Sequence, residues 1–128
     1  MFDTTALYAG ALGLLLVYLS MRVVNLRKSF NVSTGGGGHA ALELAARVQA
    51  NCAEYAPIGL LLLALTEAQG APALAVHGLG LMLLCGRIFH AIGYGRTPSN
   101  FKLRVAGMLL TFGMLILASL GLILHALF

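Results

Sequence analysis

With 128 residues the chain has room for one domain and not for two, so every functional group must sit on a single scaffold spanning residues 1–128. Apolar residues make up 59% and charged residues 9%, whereas a soluble domain carries about a quarter charged residues, so water is not the main solvent. The net charge of +4 comes from bases scattered around apolar spans; they form no solvated stripe, and no nucleic-acid partner is expected.

The apolar run of the first segment, Thr4 to Val24, is long enough to cross a hydrocarbon core, which takes about 20 residues. Met1 to Thr5 has no basic region and no convincing cleavage site follows, so this segment is expected to stay as the first span rather than leave as a signal peptide. Asn25 to His39, polar and then glycine-rich at Gly35 to Gly38, is expected to be a loop. A phosphate cradle would need a preceding strand and a following Lys-Ser or Lys-Thr, so the glycines are read as a flexible connection.

Ala40 to about Gln69 is interrupted only by Pro57, which predicts a helix of some 30 residues that must overhang the membrane or tilt. Gly70, Ala71 and Pro72 make a tight turn, and Ala73 to Tyr94 is the third span. Gly95 to Lys102 is the third loop, with Pro98 and Ser99 as turn residues, and Leu103 to Leu127 is the fourth span. The fold class is therefore all-α, a four-helix transmembrane bundle. Arg22, Arg27 and Lys28 flank the first loop and Arg96, Lys102 and Arg104 the third, while the second loop and both termini carry no Lys or Arg. The positive-inside rule then puts the first and third loops in the cytoplasm and both termini on the other side.

Ionisable residues inside a span are costly and are functional candidates by default. On the second helix Arg47, Asn51, Glu54 and Tyr55 follow one face, and on the third Arg87, His90 and Tyr94 follow another, so two polar stripes should meet. The plainest reading pairs Glu54 with Arg87 as a buried ion bridge that sets helix register, with Asn51 as interhelical glue. That leaves Arg47, His90, Tyr94 and Arg104 as a surplus near the basic loops, and surplus positive charge suggests an anionic ligand. Cys52 and Cys85 lie in apolar stretches as small hydrophobes, so neither a disulfide nor a metal site is expected. His39, His77 and His125 read as structural or interfacial, the methionines as packing residues, and Gly107 and Gly113 as helix contacts.

The segment Arg47-Val-Gln-Ala-Asn-Cys-Ala-Glu-Tyr-Ala-Pro57 resembles the second-helix signature of the membrane-associated proteins in eicosanoid and glutathione metabolism, the MAPEG family. Asn25-Leu-Arg-Lys-Ser-Phe-Asn-Val-Ser33 resembles the family's first loop, Gly86-Arg-Ile-Phe-His-Ala-Ile-Gly-Tyr94 its third helix and Lys102-Leu-Arg104 the start of its fourth. The glycine loop, the Leu-rich run after Pro57 and Asn100-Phe-Lys-Leu-Arg-Val-Ala-Gly107 are most similar to the short bacterial branch. His90 stands where eukaryotic members often have Tyr, and the stretch from Tyr94 to Arg104 is longer than in some of them.

The resemblance implies a homotrimer in a bacterial inner membrane, with glutathione as co-substrate bound between subunits near the cytoplasmic face. By matching position, Arg47, Asn51, Glu54, Tyr55 and Tyr94 would hold the tripeptide within one subunit, Arg27 and Gln49 would reach in from the neighbour, and Arg104 would be catalytic. Arg87 and His90 of the third-helix stripe complete the binding candidates. A guanidinium beside a thiol of pKa about 8.5 favours the thiolate, the reactive form, and Arg stays charged even when partly buried. The implied activity is a glutathione transferase or peroxidase acting on lipophilic electrophiles or hydroperoxides that arrive through membrane lipid. The alternative is a non-catalytic lipid-binding member, which has no need of Arg104 or Arg27. A transporter ranks last, because the halves show no internal symmetry.

Overall fold

The computed structural model describes residues 1–94 and 98–128. Arg96, one of the bases that set the expected topology, lies outside the described residues, as does most of the early part of the third loop. The described residues form four helices: α1 (Asp3–Phe30), α2 (Ala40–Ala68), α3 (Ala73–Tyr94) and α4 (Phe101–Leu127). Each is long and apolar enough to cross a membrane, and no strand occurs among the described residues. The termini and the α2–α3 turn lie at one end of the bundle. The other end carries the α1–α2 and α3–α4 connections with Arg27, Arg47 and Arg104, and is called the basic end below.

The first helix runs six residues further than its apolar span. Asn25 to Phe30 contains neither Gly nor Pro, and Arg27 and Lys28 fall in the last turn, where cations oppose the negative pole of the helix dipole. Asn31 ends the helix in the left-handed region at φ 55°, and Val32 N donates to the Arg27 carbonyl at 3.0 Å. Arg27 is therefore held on a helical turn rather than in a loop. At the other terminus α1 has no side-chain cap of its own. Glu67, near the end of α2, supplies one: its carboxylate accepts from Thr4 N at 3.0 Å and from Thr5 N at 2.8 Å.

Helix α2 passes through Pro57 without a break, and Gly70, at φ 78°, closes the turn into α3. Helix α4 begins two residues earlier than its apolar run because Asn100 caps it. The Asn100 side chain accepts from Leu103 N at 3.1 Å, and its own N–H donates to the Gly93 carbonyl at 2.8 Å.

Glycines set how closely α3 and α4 approach. A Cβ at Gly107 would lie 2.4 Å from His90 N and 2.6 Å from the Gly86 carbonyl, and one at Gly93 would lie 2.6 Å from Arg104 N. These contacts are backbone against backbone, the close crossing that small residues allow in membranes. A core of Leu12, Leu19, Val48, Leu63, Leu83 and Met114 fills the bundle. Leu14, Leu74 and Leu109 are between 65% and 85% exposed, which fits an outer surface solvated by acyl chains rather than by water.

Candidate functional site

The face of α2 that carries the first polar stripe forms one wall of a groove of about 720 Å³ at the basic end. Arg47, Asn51 and Glu54 lie along it, Arg27 enters from the last turn of α1, and Tyr94 closes it from the end of α3. Five of the residues singled out from the sequence thus come together within one chain. The volume falls within the roughly 300–1,000 Å³ of small-molecule sites. Among the described residues the one ion pair joins the N-terminal ammonium to Asp3 at 3.5 Å, so the groove's guanidiniums and carboxylates are not paired with each other.

Glu43 and the loop glycines Gly35 and Gly36 also line the groove, and sequence reasoning passed over them. For Glu43 the signal was present: it precedes Arg47 by four residues and extends the same stripe by one turn. For the loop the signal was the glycine run itself. The connection expected to be flexible follows a defined path, in which Arg27 Nη1 donates to the Gly35 carbonyl at 2.7 Å and the His39 ring stacks on Phe30 at 4.0 Å. A Cβ at Gly36 would meet Glu43 Cγ at 2.1 Å, so glycine is what lets the loop lie against that side chain.

The remaining candidates are distributed around this groove. Gln49 turns to α1, where Nε2 donates to Ser20 Oγ at 3.4 Å. Tyr55 faces inward, its ring 5.3 Å from Arg87 Cζ and edge-on to Phe112 at 5.7 Å. His90 and Arg104 border a second, smaller cavity of about 280 Å³ whose other walls are apolar, Met108 and Phe112 among them. Tyr94 links the two spaces: its ring stacks on His90 at 5.4 Å, and Arg104 Cζ sits 4.0 Å over it. A ligand in the groove is thus one aromatic ring away from the Arg104 guanidinium.

The expected Glu54–Arg87 ion bridge does not form. Arg87 is 1% exposed and its guanidinium is taken up by neutral acceptors. Nε and Nη2 donate to Thr111 Oγ1 at 3.1 and 2.9 Å, Nη2 also reaches Met108 Sδ at 3.2 Å, and Nη1 donates to the Asn51 side chain. Two causes act together. The Gly86–Gly107 crossing brings α4 so near that Thr111 reaches the guanidinium, and Glu54 sits on the exposed groove face of α2, where its charge keeps its solvation. Among the described residues no three His, Cys, Asp or Glu side chains cluster as metal ligands do.

The groove brings together two guanidiniums, Arg27 and Arg47, which can pair with carboxylates, and two carboxylates, Glu43 and Glu54, which can pair with an ammonium. Residues 5–124 match the model of the MAPEG family. The inner membrane protein YecN of Escherichia coli is 39% identical over 117 residues, covering 91% of this chain and 88% of its own. Leukotriene C4 synthase of Bos taurus is 34% identical over 98% of this chain and 86% of its own, and the enzyme of Mus musculus is likewise 34% identical. A family model spanning nearly the whole chain, together with relatives of this identity and coverage, establishes that the chain belongs to the MAPEG family.

Proposed function

We propose that the chain is a membrane-embedded glutathione-dependent transferase or peroxidase working as a homotrimer. The observation that carries this reading is the convergence of Arg27, Arg47, Asn51, Glu54 and Tyr94 on one groove, with Arg104 stacked on the far side of the Tyr94 ring. Arg27 and Arg47 match the tripeptide's two carboxylates, and Glu54 with Glu43 matches its α-ammonium. Membership of a family that includes leukotriene C4 synthase supports the choice of thiol.

With the tripeptide backbone so held, its sulfur is directed toward Tyr94 and Arg104. The thiol loses its proton to water, and the guanidinium stabilises the resulting thiolate, which is the nucleophile. In conjugation a C–S bond forms on an electrophilic carbon as the leaving group departs or a strained ring opens. In hydroperoxide reduction the O–O bond breaks, and two thiols become one disulfide as the peroxide becomes an alcohol and water. The apolar cavity beside Arg104, lined by Met108 and Phe112, suits a lipophilic partner delivered by the bilayer. The basic end faces the cytoplasm of an inner-membrane protein and both termini face away, following the distribution of Lys and Arg.

Calorimetric titration of glutathione into the detergent-purified chain tests the reading, with thiolate ultraviolet absorbance followed in parallel. Wild type binds saturably and shows thiolate at neutral pH. Arg47→Ala binds more weakly, and Arg104→Ala binds without thiolate. Absence of binding to wild type overturns the proposal and leaves the non-catalytic lipid-binding alternative.

A further inference from the structure

Arg87 has no donor left for a ligand. A guanidinium carries five N–H groups, and here each has an acceptor within the chain: Thr111 Oγ1 takes Nε and one Nη2 proton, Met108 Sδ the other, and the Asn51 side-chain and backbone oxygens both Nη1 protons. The Thr111 hydroxyl donates to the Gly107 carbonyl at 2.9 Å, which turns its lone pairs toward Arg87. Every one of these partners is neutral, so a full positive charge, 1% exposed, is held in the bundle without a counter-ion. Such an arrangement costs solvation and does nothing for stability that an apolar side chain would not do better.

What it does accomplish concerns Asn51. Because Arg is a donor only, the Asn51 atom that faces it must be the amide oxygen, and the orientation of that amide is thereby chosen by chemistry. Among the described residues the Asn51 Nδ2 group has no hydrogen-bond partner within the chain, and no buried side-chain nitrogen or oxygen is left unsatisfied. The Nδ2 group is therefore accessible, and Asn51 lines the groove.

We infer that Arg87 is a positioning residue: it binds no ligand itself but locks the Asn51 amide so that its NH2 group, and not its oxygen, faces the groove and selects a carbonyl or carboxylate oxygen of the ligand. Thr111 supports this from α4 by holding the other edge of the fork. The inference rests on the glutathione reading only for the identity of the ligand that Asn51 meets.

A double-mutant cycle on the full chain in detergent tests it, using glutathione as the probe and thermal unfolding to establish that each variant is folded. Arg87→Lys keeps the charge but cannot span Thr111 and Asn51 at once. It weakens glutathione binding by roughly tenfold or more, the scale of one hydrogen bond to a charged group, and by less than about twofold when Asn51 is already Ala. Equal losses in both backgrounds would overturn the inference.

Asn51→Asp provides a variant that keeps the fold, because the new carboxylate pairs with Arg87. It presents an oxygen where the amide donated, so binding falls by at least as much, and unchanged affinity would refute the donor role. A readout independent of ligand is the side-chain amide resonance pair of Asn51, identified by its loss in Asn51→Ala. In the ligand-free protein that pair shifts in Arg87→Lys, and a pair that stays put defeats the inference. If wild type takes up no glutathione while the pair still shifts, the ligand reading fails and the positioning role stands.

Discussion

The two ends of the bundle use polar side chains in opposite ways. At the end holding the termini, the Glu67 carboxylate is occupied by Thr4 N, Thr5 N and the Thr5 hydroxyl, and the Tyr8 hydroxyl is engaged with His77. These groups hold helices to one another, α2 to α1 and α1 to α3. At the basic end Arg47, Glu43 and Glu54 line a groove without pairing among themselves. Polar groups that satisfy each other act as architecture, and groups that converge without doing so are available to a ligand. On this basis substitutions at one end change stability and leave affinity alone, and substitutions in the groove do the reverse.

The largest effect is expected where neither description applies, at the α3–α4 crossing that brings Thr111 to Arg87. In Gly107→Ala the added Cβ would meet backbone atoms of His90 and Gly86 at 2.4 and 2.6 Å, and backbone cannot step aside as a flexible side chain can. Overpacking of this kind costs about 1–3 kcal/mol or more. Helices α3 and α4 part, Thr111 leaves Arg87, and both stability and glutathione binding fall. Thermal unfolding in detergent measures the first and calorimetry the second; a variant as stable as wild type would mean that the crossing is looser than described.

Arg47→Ala comes next and separates the ends cleanly. Arg47 is exposed and makes no ion pair, so the unfolding midpoint stays where it is. Glutathione affinity falls by roughly tenfold to a hundredfold, as one charge-assisted hydrogen bond to a carboxylate requires. Glu67→Gln is the mirror case. It removes the charge that caps α1 and complements its helix dipole, so the midpoint drops while glutathione affinity is unchanged. A loss of affinity in Glu67→Gln would show that the two ends are coupled through α2.

The sequence disclosed the bundle because the bilayer imposes a length rule that apolar runs obey, and α3 occupies the residues read for it, 73–94. It was less informative where polar residues prolong a helix. Asn25 to Phe30 reads as loop by composition, yet with no Gly or Pro before Asn31 the helix simply continues. Periodicity likewise shows which residues share a face of one helix and not which acceptors meet them from another. Arg87 was matched to Glu54 as the nearest opposite charge, and its actual partner Thr111 stands on an apolar run of α4. Glu43 was legible in principle, since it stands one turn before Arg47 on the same face of α2.

The smallest effect is expected for Tyr8→Phe. Its hydroxyl lies 3.1 Å from His77 Nδ1 and donates to the His77 carbonyl at 3.2 Å, while its ring, 4% exposed, packs on Gly80 so closely that a Cβ there would sit 2.3 Å from it. Phenylalanine keeps that ring and all of its packing. What is lost is one neutral hydrogen bond, worth about 1 kcal/mol. The midpoint should therefore fall slightly and glutathione affinity not at all. Tyr8→Phe is the sharpest control on the comparison for that reason, because a drop in affinity from a single oxygen at the far end could not come from packing and would require the α1–α3 contact to reach Tyr94.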